Sequence, residues 1–181
     1  MIIVRTPFRV SFFTADDEFL VTPVVMRAER LAVLQQHLML FFTGFSRDAS
    51  TIAETQVNLT AHRSSELKRI YEMVDAARLM LDGTGSLDDF GRLLDEGWGL
   101  KRTLTPVISN PRIDEIYDAA RSAGALGGKL LGAGGGGFML LFVRPEQRVA
   151  VRARLQPLLE VPFAFERAGS EIVFYEPGTR P

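Results

Sequence analysis

The spacing of apolar and polar positions divides the chain into segments of different character. Residues 2–13 (IIVRTPFRVSFF) are rich in Ile, Val and Phe and predict a strand interrupted by Pro7. The polar, acidic stretch Thr14–Glu18 then reads as a turn or linker. Residues 19–25 (FLVTPVV) are apolar with Pro23 inside, which predicts an edge strand, because proline cannot donate to a ladder. A short charged segment, Arg27–Arg30, leads to residues 37–43 (HLMLFFT). That continuous short apolar run is the pattern of a buried strand.

The period then lengthens to that of a helix. Thr51–Glu54 has capping-box spacing. Leu67, Ile70, Met73, Val74, Ala77 and Leu81 form one apolar stripe, closed by Gly83 and Gly85. Ser86–Asp89 opens a second helix, whose face carries Leu87, Phe90, Leu94, Trp98 and the stem of Lys101, and Pro106 ends it. Asn110 and Pro111 cap a third, with Ile113, Ile116, Tyr117 and Ala120 in line and Gly124 as its stop. Residues 125–131 and 138–143 read as strands flanking a glycine run. Pro145 opens a helix carrying Val151, Leu155, Leu158 and Leu159. Val161, Phe163 and Phe165 alternate, as do Ile172 and Phe174 across a turn at Gly169–Ser170, and residues 177–181 form a tail. Segregated helices and hairpins predict an α+β layer with an antiparallel sheet.

Composition narrows the function. With 181 residues, 46% of them hydrophobic, the chain can bury a core without disulfide or metal. A net charge of −1 argues against nucleic acid or an anionic membrane as partner. No cysteine is present, which removes thiolate metal sites and a cysteine nucleophile. His37 and His62 match no metal-binding spacing, and Asp16, Asp17 and Glu18 read as a solvated linker. No apolar stretch reaches the roughly 18 residues of a membrane span. Arg5 and Arg9 break the apolar start, so a signal peptide is not expected and the cytoplasm is.

The segment 126–138 (LGGKLLGAGGGGF) is the most informative. Gly132, Gly134, Gly135, Gly136 and Gly137 cost chain entropy on folding. A plain turn needs one or two such residues. Five imply repeated positive φ or a close approach by something else. Successive N–H groups in such a loop can hold an anion, and Lys129 is near. The plainer reading is a hairpin that lets a neighbour pack closely, and residues alone leave the two open. The spacing G-x-G-x-x-G is met at Gly132, Gly134 and Gly137, but the fingerprint needs a helix next, and the apolar run 138–143 predicts a strand.

The run GGKLLGAGGGGF resembles the third motif of the GHMP kinases. MIIVRTPFRVSFF resembles the first motif of one branch, the bacterial D-glycero-D-manno-heptose phosphate kinases, and HLMLFFTGFSRDAS and LDDFGRLLDEGWGLKRTL also resemble that branch. The likeness spans residues 1–13 and about 19–176. It implies a ferredoxin-like C-terminal lobe at residues 37–176, with an antiparallel sheet and helices on one face. Residues 1–36 would be a residual N-lobe strand and linker. It also implies ATP and magnesium as cofactors, and a phosphosugar and a nucleotide as small-molecule partners.

Three elements of that family pattern are missing from this sequence. The first motif does not continue past Phe13 with its glycines, and no glycine–serine nucleotide loop or segment carrying a catalytic aspartate occurs. The expectation is a kinase C-lobe with the middle of its N-lobe missing, inactive by itself and binding no nucleotide tightly. The alternative is a non-catalytic ferredoxin-like module for ligand binding or oligomerisation, since an uncovered lobe surface favours self-association. Phosphate-proximal candidates are the five glycines, Lys129, Arg5, Arg9, Thr43 and Arg47. Guanidinium groups match phosphate geometry, and Thr43, Ser46 and Arg47 follow the buried strand. Each also has a plainer reading: solvated cations at Arg5, Arg9 and Lys129, and an ordinary turn at 43–48.

Overall fold

The computed structural model describes residues 9–13, 18–45, 63–83, 85–132 and 134–165. Pro7, Asp16 and Asp17, Ser46, the Thr51–Glu54 capping box, His62, the Gly169–Ser170 hairpin and the tail lie outside these residues. In chain order the elements are β1 (Arg9–Phe13), β2 (Phe19–Pro23), α1 (Ala28–His37), β3 (Leu38–Phe42), α2 (Ser64–Asp82), α3 (Leu87–Leu104), α4 (Pro111–Ser122), β4 (Ala125–Leu130), β5 (Phe138–Val143), a 3-10 turn (Pro145–Gln147), α5 (Arg148–Arg154) and β6 (Leu159–Glu160).

The protein is α+β. β1 and β2 form an antiparallel ribbon with Arg9 opposite Pro23 and Phe13 opposite Phe19. The other four strands make an antiparallel sheet in the order β4-β5-β3-β6. Numbered within that sheet the order is 2-3-1-4, the ferredoxin-like arrangement.

Strand side chains alternate between faces, and this decides the layering. Met39, Phe41, Met139, Leu141 and Val143 share one face with Ile113, Ile116 and Ala120 of α4 and Val151 of α5. Leu38 and Phe142 share the other with Leu31 and Leu34 of α1 and Leu87 of α3. Helices thus meet both faces of the sheet rather than one. The physical reason lies in β5, whose FMLLFV run has no polar position to leave in water.

α3 lies directly against β4. A Cβ on Gly127 would stand 2.0 Å from the Gly91 carbonyl, and one on Gly91 would stand 2.6 Å from Phe142 Cδ1. These two glycines let a helix backbone touch a strand backbone. Because β4 is an edge strand, Trp98 reaches past it to Tyr117 of α4, at 6.2 Å between ring centroids.

Three segments depart from expectation. The helix read from Pro145 to Leu159 is a 3-10 turn followed by α5, which ends at Arg154, and Leu159 opens β6. The charged segment Arg27–Arg30 opens α1, a helix that the pattern did not signal. Only Leu31 and Leu34 of it are buried and Val33 is exposed, so its apolar stripe is too thin to read. Tertiary contacts hold it: Arg30 of α1 donates to the carbonyls of Met80, Leu81 and Gly85 and closes the end of α2. The alternating run 161–165 is not a strand, and the last backbone bond to β3 is from Val161 N–H to Leu40 O at 2.8 Å. Pro162 has no N–H to offer. The Gln35 side chain substitutes for a strand partner, donating to the Phe163 carbonyl and accepting from Phe165 N–H.

Candidate functional site around the glycine loop

The glycine run links the hairpin of β4 and β5. Phe138 follows it in a strand, so no helix N-terminus faces the loop from that side. Gly132, Gly134, Gly135 and Gly137 all have positive φ. Gly136 does not, but a Cβ there would stand 2.8 Å from the Phe45 carbonyl oxygen. Both reasons for a glycine run therefore operate in one loop. At Gly134 they coincide: φ is +126°, and a Cβ would meet Ile108 Cα and O at 2.9 Å each.

Two segments brace the loop. From one side, Gly137 N–H donates to the Phe45 carbonyl at 2.8 Å and to Thr43 Oγ1 at 3.1 Å. Thr43 returns the contact, its N–H and hydroxyl both donating to the Gly137 carbonyl, at 2.9 and 2.8 Å. From the other side, Gly135 N–H donates to Ile108 O at 2.9 Å, and Asn110 Nδ2 donates to Gly135 O at 3.2 Å. Asn110 is also the N-cap of α4, its Oδ1 accepting from Ile113 N–H. One residue thus fixes a helix start and the loop together.

This geometry sorts the sequence candidates. The five glycines and Thr43 come together. Thr43 is 3% exposed, and its hydroxyl is committed to Gly137. The N–H groups of Gly135 and Gly137 are likewise committed within the chain. Lys129 lies on β4 on the face that α3 covers, beside Lys101 of α3. Arg9 sits in β1; Arg5 and Arg47 fall outside the described residues.

Sequence reading missed Lys101 as a site residue. Its Nζ donates to the Gly132 carbonyl at 3.3 Å. Burial, and then the nearby charge of Lys129, push its pKa below that of a free lysine. The available signal was a cation three residues beyond Trp98 on an otherwise apolar stripe. Phe45 and Ile108, which brace the loop, had no signal in sequence, and Asn110 was legible only as a helix cap. Among the described residues, no group of three or more His, Asp or Glu side chains could hold a metal ion. No helix among them is long and apolar enough to cross a membrane.

Residues 73–158, which include the loop and both lysines, match the family model for the GHMP kinases C terminal. The chain carries a GHMP kinase C-terminal domain. Two curated relatives of this domain are a bifunctional fucokinase/GDP-fucose pyrophosphorylase of Arabidopsis thaliana and a D-glycero-alpha-D-manno-heptose 7-phosphate kinase of Campylobacter jejuni. The first is 30% identical over 141 residues, 75% of this chain and 13% of the relative. The second is 29% identical over 144 residues, 78% of this chain and 42% of the relative. The chain therefore spans well under two thirds of either. Among solved structures, L. major mevalonate kinase in complex with R-mevalonate superposes with a TM-score of 0.63 at 20% identity, over 81% of this chain and 46% of that one. A D-glycero-D-manno-heptose 1-phosphate kinase from Bacteroides thetaiotaomicron does so with 0.57 at 24%, over 87% and 42%. At these identities the likeness is one of fold.

Proposed function

We propose that this chain is the C-terminal part of an ATP-dependent sugar phosphate kinase of the heptose type. Its glycine loop would form the wall that borders the transferring phosphoryl group. The observation that supports the reading is how that loop is braced. Gly134 and Gly135 rest on Ile108, and Gly136 and Gly137 rest on Phe45, with no side chain of their own between. Phosphoryl transfer depends on positioning and on neutralising charge, and a fixed bare backbone serves the first need.

The residues present fit a triphosphate and its magnesium only in part. Gly135 and Gly137 N–H groups are already used within the chain, and the described residues bring no carboxylate cluster to the loop. By itself this chain does not transfer a phosphoryl group. The test is a coupled ADP-release assay with magnesium–ATP and D-glycero-D-manno-heptose 7-phosphate, beside calorimetric titration of each. The expected result is no turnover, weak phosphosugar binding and no tight nucleotide binding. Turnover, or nucleotide binding at ordinary kinase affinity, would overturn it.

A further inference from the structure

We infer that the cleft between α2 and α3 is a second binding site, for a single-chain amphiphile with an anionic head. The cleft has a volume of about 480 Å³, in the range of small-molecule pockets. Leu67, Ile70 and Met73 of α2 line it from one side, and Leu94 and Trp98 of α3 from the other. A sugar would find its hydroxyls facing hydrocarbon there, whereas an alkyl chain would not. The polar groups on the lining all donate. Lys101 and Lys129 both line the cleft, and neither is ion-paired to any carboxylate among the described residues. Two cations held close at a partly buried site repel, and that cost is removed by an anion set between them. Two lysines with no carboxylate partner at an apolar cleft specify a ligand that brings an anionic head and a hydrocarbon tail together. This site does not depend on the phosphosugar reading.

Trp98 is the only tryptophan, so its emission reports on the cleft directly. The test titrates the protein with decanoate and with decyl phosphate below micelle formation, using decanol as the uncharged control. The expected result is a saturable change in Trp98 emission for one or both anions, with decanol at least about tenfold weaker. The difference between the two anions identifies the head group. Lys101→Gln with Lys129→Gln weakens the anions by about tenfold or more and leaves decanol unchanged. Gly97→Leu fills the cleft, since a Cβ there already lies 3.2 Å from Met73 Cε, and abolishes binding of all three. Circular dichroism confirms that each variant is folded. No saturable change, or equal binding of decanol, or full binding by the double lysine variant, would overturn the inference. Displacement of decanoate by heptose 7-phosphate would also overturn it, because the lysines would then belong to the phosphosugar site.

Discussion

Replacing Gly134 tests whether the loop is glycine-rich for freedom or for contact. Gly132→Ala and Gly134→Ala both place a Cβ on a positive-φ residue, at +83° and +126°. An L-residue with left-handed backbone costs about 1–2 kcal/mol, which each variant incurs. The surroundings then differ. Around Gly132 nothing lies within 4 Å of the new carbon, whereas at Gly134 it meets Ile108 Cα and O at 2.9 Å. Both are backbone atoms that no rotamer change can move. The 105–110 segment must shift, straining the 2.9 Å bond from Gly135 N–H to Ile108 O. Overpacking of this kind costs a further roughly 1–3 kcal/mol. With a urea m-value of about 1–3 kcal/mol/M, the Gly134→Ala midpoint should fall about 1 M below that of Gly132→Ala. Urea unfolding followed by circular dichroism measures both. Equal midpoints would mean that only backbone conformation matters and that the Ile108 brace is incidental.

Other expectations follow from the same contacts. Asn110→Ala removes the α4 cap, at a cost of about 1 kcal/mol, and frees one side of Gly135; faster amide exchange in residues 134–137 as well as in the first turn of α4 would show the shared role. Arg30→Met leaves three carbonyls at the end of α2 without their donor, costing about 1–3 kcal/mol in chemical denaturation. Asp88 is held below the usual carboxylate range, first by its hydrogen bond from Arg144. Its contribution is therefore present above the unfolded pKa and lost as pH falls through the folded one. Asp88→Asn should lower the urea midpoint near neutral pH and converge with wild type in strong acid; a constant difference across pH would refute this. Leu20 and Val25 are each 60% exposed, so concentration-dependent sedimentation is expected, and a strict monomer at all concentrations would argue against self-association through this ribbon.

Local rules were enough wherever an element carries its own signal. The caps at Ser86 and Asn110, the α2, α3 and α4 stripes, and the β3 and β5 runs were legible because capping and amphipathic spacing act over a few residues. The glycine run was equally legible as a strained or crowded loop flanked by strands. What surrounds it was not. Phe45 and Ile108 lie about 90 and 26 residues before Gly134–Gly136 in the chain, and no local pattern reveals which carbonyl will close on which glycine. Helix α1 was hidden for a related reason: its stability comes from Leu31 and Leu34 on the sheet and from Arg30 on α2, not from its own periodicity. Lys101 read as a stem at the edge of an apolar face. Only packing of α3 across β4, permitted by Gly91 and Gly127, sets it beside Lys129 and the loop. The sequence by itself determined that there would be a glycine-rich turn, strained or closely approached, on an antiparallel α+β frame. The tertiary structure decided what that turn rests on and which cations stand beside it, because those contacts depend on distances between segments far apart in the chain.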